Sequence, residues 1–190
     1  MALTVKRIGF GQVEPNHLSA QRTAQIYAQL PAAEDINILE NGQFVKYDYA
    51  TGEVNFTGKG EWMMVFNEVK LYDDRWRESY KDFAMIKENY TPGGDYTHEG
   101  WGPFKGQMVP RVIKTNVGDI YTTNCVGAAN TSGKAEYAGI ELTVGDLLKV
   151  SEEGFLVAGG DLEADDMVWQ VVKEYTMADM QPAVKLMRVK

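Results

Sequence analysis

The chain has 190 residues, 19 basic and 27 acidic side chains and a formal net charge of −8, with 44% hydrophobic and 11% aromatic content. That length suits one domain, or one domain with an arm, and the apolar fraction is that of a globular protein. The acidic balance argues against nucleic acid as a partner, because such binding needs many Lys and Arg contacts to phosphate.

No run approaches the roughly 18 apolar residues of a membrane span, and residues 1–10 lack the apolar core of a signal peptide. No membrane partner is expected. A single cysteine, Cys125, excludes an intrachain disulfide and reads as a small buried apolar residue. The sequons at Asn55, Asn89 and Asn130 are treated as chance matches.

Residues 1–35 differ in character from the rest and are expected to form an N-terminal arm. Leu3 to Ile8 suits a strand, after which Gly9, Gly11 and Pro15 break regularity. Residues 19–30 admit two readings. Ser19 suits a helix cap, with Thr23, Ile26, Tyr27 and Leu30 on one helical face; Ile26, Ala28 and Leu30 also alternate as in a strand. Pro31 ends either one. Weak apolar content favours an arm that reaches a neighbouring subunit and orders on binding.

Residues 36–190 are expected to form the β domain. Asn41-Gly42 turns into a strand at Phe44, Val45, Tyr47 and Tyr49, and Thr51-Gly52 turns it back. Gly58-Lys59-Gly60 lacks the Lys-Ser/Thr ending of a phosphate loop and reads as a hairpin turn. Trp62 to Phe66 is the most apolar run and reads as a central buried strand. Trp76, Tyr80, Phe83 and Lys87 recur at helical spacing, which predicts a short helix over 74–87. A long Gly-rich loop follows with Tyr90, Tyr96, His98, Trp101 and Phe104, aromatic side chains suited either to anchoring an interface or to capping the domain.

Val117-Gly118-Asp119 and Val144-Gly145-Asp146 each open an apolar run, and Glu152-Glu153-Gly154 turns the second back. Residues 142–157 therefore read as a β-hairpin. Met167 to Val172 and Ala183 to Val189 look like closing strands; in the latter Val184, Leu186 and Arg188 alternate with Lys185, Met187 and Val189.

Enzyme constellations fail on inventory. The two histidines, His17 and His98, have no nucleophile motif beside them, and no paired metal-ligand spacing occurs. The carboxylate pairs Asp73-Asp74, Glu152-Glu153 and Asp165-Asp166 sit at turns or element ends and read as solvated charges; the stretch 161–166 does not have the spacing of an EF-hand loop. No cofactor, metal or catalytic residue is expected.

The units at 115–124 and 144–157, completed by 168–172 and 183–189, carry a family likeness. With them the chain resembles small structural head proteins of tailed bacteriophages: auxiliary capsid, decoration or cement proteins. The resemblance covers roughly residues 110–190. It implies a mainly β domain, barrel-like or sandwich, with no active site. It also implies a virion location after assembly in the host cytoplasm, with the major capsid protein or other virion subunits as partners and self-association. The partner is expected on Tyr90, Tyr96, Trp101, Phe104 and Tyr27. Two other readings stay open: a phage tail or surface-binding β module, and a carbohydrate-active enzyme on a β-barrel.

Overall fold

The computed structural model describes residues 2–7, 9–67, 84–87, 107–127 and 139–190. Its strands begin where the turn chemistry says they should. The Asp119 N–H donates to the Asn116 carbonyl at 3.0 Å while Gly118 holds φ at +91°, the arrangement of a type II turn with glycine at its third position. The Asp119 carboxylate also accepts the Asn116 N–H at 2.9 Å. Thr143 to Asp146 repeats the device, with a 3.1 Å backbone bond, Gly145 at φ +102° and a 2.7 Å bond from Thr143 N–H to the Asp146 carboxylate.

Strand β10 (Ile120–Thr123) leaves the first turn and β12 (Leu147–Val150) the second. Strand β13 (Leu156–Ala158) pairs back on β12 through the Ser151 to Gly154 turn, so the expected hairpin is present. Its first residue belongs elsewhere: Leu142 ends β11 (Ile140–Leu142), which pairs with β1 (Leu3–Val5). The closing strands, β14 (Val168–Thr176) and β15 (Pro182–Arg188), form a long antiparallel hairpin, and the alternation of β15 buries Val184 and Leu186. With the edge strand β2 (Val13–His17) they give a six-stranded sheet of order β13-β12-β14-β15-β10-β2.

A five-stranded sheet has the order β3-β9-β7-β5-β6, from Ile26–Tyr27, Val112–Ile113, Glu61–Val65, Phe44–Asp48 and Glu53–Asn55. The apolar run β7 lies inside it, as its composition predicts. This sheet is apolar on both faces, so its strands divide their side chains between two clusters. Phe44, Met64 and Ile113 join Trp169, Leu148, Leu156 and Leu186 of the six-stranded sheet in one core. Val45, Tyr47, Met63, Val65 and Val112 face a second core with Ala33, Ile36, Leu39 and Met85. The last two come from a separate ribbon, β4 (Ile38–Glu40) paired with β8 (Ala84–Ile86).

The protein is therefore mainly β, in several sheets. Among the described residues none closes into a barrel, which corrects the barrel-like expectation; the two large sheets keep distinct edges instead. Three local readings also change. Gly58-Lys59-Gly60 is not a hairpin turn, because β5 lies between β6 and β7 and pairs with both. Asp48 and Asn55 side chains take the Lys59 and Gly58 N–H groups and hold this crossing connection. Of the helix expected over 74–87, residues 84–86 are strand, since pairing with β4 buries Met85; residues 74–83 lie outside the described set. Residues 19–30 use both readings in turn. Helix α1 (Ser19–Thr23) ends on Ala24 at φ +55°, and β3 follows. Ser19 does not cap that helix; its N–H and hydroxyl donate to the Asp119 carboxylate.

The segment expected as an arm supplies β1, β2, α1 and β3. Each of its strands is hydrogen-bonded to a strand from beyond residue 36, namely β11, β10 and β9.

Candidate functional site

The least ordinary chemistry lies where the N-terminal segment crosses the turn after β4. Gly42 sits there at φ +89°, with the Gln43 N–H donating to the Glu40 carbonyl at 3.2 Å. The crossing is too close for side chains: a Cβ on Gly11 would meet the Asn41 carbonyl oxygen and lie 2.6 Å from Cys125 Sγ. Within it, Arg7 and Glu40 form an ion pair with side-chain exposures of 1% and 2%. Arg7 Nη1 donates to Glu40 Oε2 and also approaches Cys125 Sγ at 3.6 Å. The Gly11 N–H adds a 2.7 Å bond to the same carboxylate oxygen, and the guanidinium lies 5.4 Å from the centre of the Phe155 ring. Paired charges this deep persist only when hydrogen bonds satisfy them.

Cys125 is held as the neutral thiol in this setting. Burial pushes its thiol up to about 12, against the pull of the Arg7 charge. The cysteine is buried, as expected, but its sulfur faces the Arg7 guanidinium rather than purely apolar neighbours.

A cavity of about 200 Å³ opens beside the pair, lined by Asp35, Glu40, Gln43, Phe56, Glu153 and Phe155 among others. Gln43 organises this wall: its carbonyl oxygen accepts the Glu40 N–H at 3.0 Å, and its amide donates to the Glu153 carbonyl at 2.8 Å. Asp35 and Glu153 are exposed, whereas Phe155 is buried.

Of the residues expected to bind a partner, Tyr27 is half-buried in β3 and packs against the second core; its ring is 5.5 Å from that of Tyr47. Tyr47 in turn meets Tyr49 edge-on at 5.2 Å, and Tyr49 is 68% exposed. Tyr90, Tyr96, Trp101 and Phe104 lie outside the described residues, as does His98. His17 is exposed on the edge strand β2.

Two carboxylates of the 161–166 stretch serve its turn. Asp161 accepts N–H bonds from Glu163 and Ala164, which hold its acid below the ordinary range, and Asp165 accepts the Asp161 N–H. Among the described residues, no group of three or more His, Cys, Asp or Glu is placed to hold a metal ion, and no helix is long and apolar enough to cross a membrane.

Sequence reading missed Arg7 and Glu40. They are 33 positions apart, on different elements, and only the Gly11 and Gly42 breaks hinted that two backbones must pass closely there. Comparison with models of protein families, with curated proteins and with solved structures finds no match to this chain.

Proposed function

We propose that the protein is a non-enzymatic virion structural protein that binds and stabilises a phage capsid lattice in a decoration or cement role. The supporting observation is how the polar interior is used. Several buried polar side chains among the described residues tie strand to strand or hold turns, although the Tyr121 hydroxyl and the Trp169 indole N–H find no protein partner. Gln12 donates to Asp179, Thr122 to Asn16 and Gln43 to the Glu153 carbonyl, while Asn124 accepts the Gln12 N–H and donates to Gln181. Such groups build a rigid body, which is what repeated lattice contacts require. Two large sheets facing one shared core fit a sandwich for that body. The phage assignment itself rests on the resemblance carried by the Val-Gly-Asp units.

On this reading the partners are the major capsid protein or other virion subunits, with self-association, and the location is the virion. The contact surface is the aromatic loop with Tyr90, Tyr96, Trp101 and Phe104, together with Tyr27. Quantitative mass spectrometry of purified particles tests the role: a copy number matching a symmetric set of capsid positions is expected, and absence from particles overturns it. The surface is tested by comparing two tryptophans. Trp101→Ala is expected to leave the melting temperature unchanged and weaken particle binding by about tenfold, roughly 1.4 kcal/mol. Trp169→Ala, at a site with no exposure, is expected to lose the fold itself, at about 3–5 kcal/mol. Core-like melting of Trp101→Ala would move the contact surface elsewhere.

A further inference from the structure

The geometry points to the cavity beside Glu40 as a socket for one basic side chain, lysine or arginine, presented by a partner protein. This stands whether or not that partner is a capsid subunit. The cavity has the two parts such a side chain needs. Phe56 and Phe155 supply apolar wall for a methylene stem, and the exposed Asp35 and Glu153 carboxylates supply negative charge for the head.

Charge balance decides between a cation and a neutral guest. Glu40 is answered internally by Arg7, so its charge is already matched. Asp35 and Glu153 remain, and among the described residues no lysine or arginine lines the cavity. Lys87, just past β8, bonds the Glu34 carbonyl and keeps its charge, but it is not among the residues that line the cavity. A cation therefore meets two carboxylates that no lining basic side chain answers, whereas a sugar or an apolar side chain leaves them unmatched. The protein already solves the same problem on the inner side of this wall. There a guanidinium is held between the Glu40 carboxylate and the Phe155 ring. The volume of about 200 Å³ suits one long side chain.

The test uses isotope-labelled full chain and four small probes: N-acetyl-arginine amide, N-acetyl-lysine amide, the uncharged N-acetyl-norleucine amide, and N-acetylglucosamine. The readout is the methyl resonance of Ile38, which lines the cavity. The two basic probes are expected to shift it saturably and about tenfold more tightly than norleucine amide. That preference should disappear at ~1 M salt, where the screening length falls to roughly 3 Å. It should also disappear in the double variant Asp35→Asn/Glu153→Gln, whose sites are both exposed and whose fold is checked by its melting curve. Equal binding of the norleucine and basic probes overturns the inference. So does saturation by the sugar without the basic probes, or no shift with any probe at tens of millimolar.

Discussion

At the scale of single residues, the Arg7–Glu40 pair carries the largest penalty for a wrong change. Removing one partner leaves the other charge buried at 1–2% exposure beside Phe155 and Cys125. Arg7→Leu or Glu40→Gln is therefore expected to lower unfolding free energy by about 3–5 kcal/mol in urea titrations. The double variant Arg7→Met/Glu40→Leu should lose less than either single change, because no uncompensated charge remains. Equal or additive losses would show that the pair acts through packing alone. Met180 illustrates the opposite sign. It holds φ +69° in the β14–β15 connection with its side chain 80% exposed, so it bears left-handed strain and little packing. Met180→Gly is expected to raise stability by about 0.5–1 kcal/mol.

At the scale of elements, the two Val-Gly-Asp turns share geometry but differ in setting. Asp119 is buried and also holds Ser19 through its N–H and hydroxyl, whereas Asp146 binds Thr143 within its own turn. Asp119→Ala should cost about 2–3 kcal/mol and Asp146→Ala about 1 kcal/mol, measured as midpoint shifts in denaturant. Similar losses at both sites would mean that the tie from Asp119 to α1 contributes nothing. These turns were legible in the sequence because each is local: glycine, carboxylate and acceptor lie within four residues. The apolar run of β7 and the alternation of β15 were legible for the same reason. Pairings were not. Nothing near Gly58 says that β5 separates β6 from β7, and nothing near Met85 says that residue 39 lies opposite. The cavity was hidden likewise, since it forms only where residues 35–43 meet Phe56 and residues 153–155. The aromatic-loop expectation falls on residues outside the described set.

At the scale of the whole molecule, titration brackets the stable range. Hydrogen bonds from Ala50 and Lys59 N–H groups hold Asp48 below the ordinary value of 3.8. For Asp179 burial pulls upward, but bonds from Gln12 and Gln181 outweigh it and the acid is again lowered. Carboxylates depressed in the folded state stabilise it fully above the unfolded value, and that stabilisation is lost as pH falls through the folded values. Melting temperature should thus hold down to about pH 4 and then drop. On the alkaline side the Cys125 thiol moves from 9.0 to about 12, so the unfolded chain ionises first and stability declines as pH rises across that interval. The same burial predicts that a thiol reagent at pH 8 modifies Cys125 only as fast as the chain opens. Rapid labelling of the native protein, insensitive to denaturant, would contradict this.

The pairing of β1 with β11, Leu3 against Leu142, has a consequence for synthesis on the ribosome. Strand β1 emerges ahead of its partner, which follows about 7–27 seconds later at roughly 5–20 residues per second. Strands β3 and β2 gain their partners β9 and β10 before β11 is made, so β1 waits longest of the three. Nascent chains stalled with residue 140 inside the exit tunnel should leave residues 3–5 open to protease, and release should close them. The fold thus completes late, with β1 sealed only after β11 has left the ribosome.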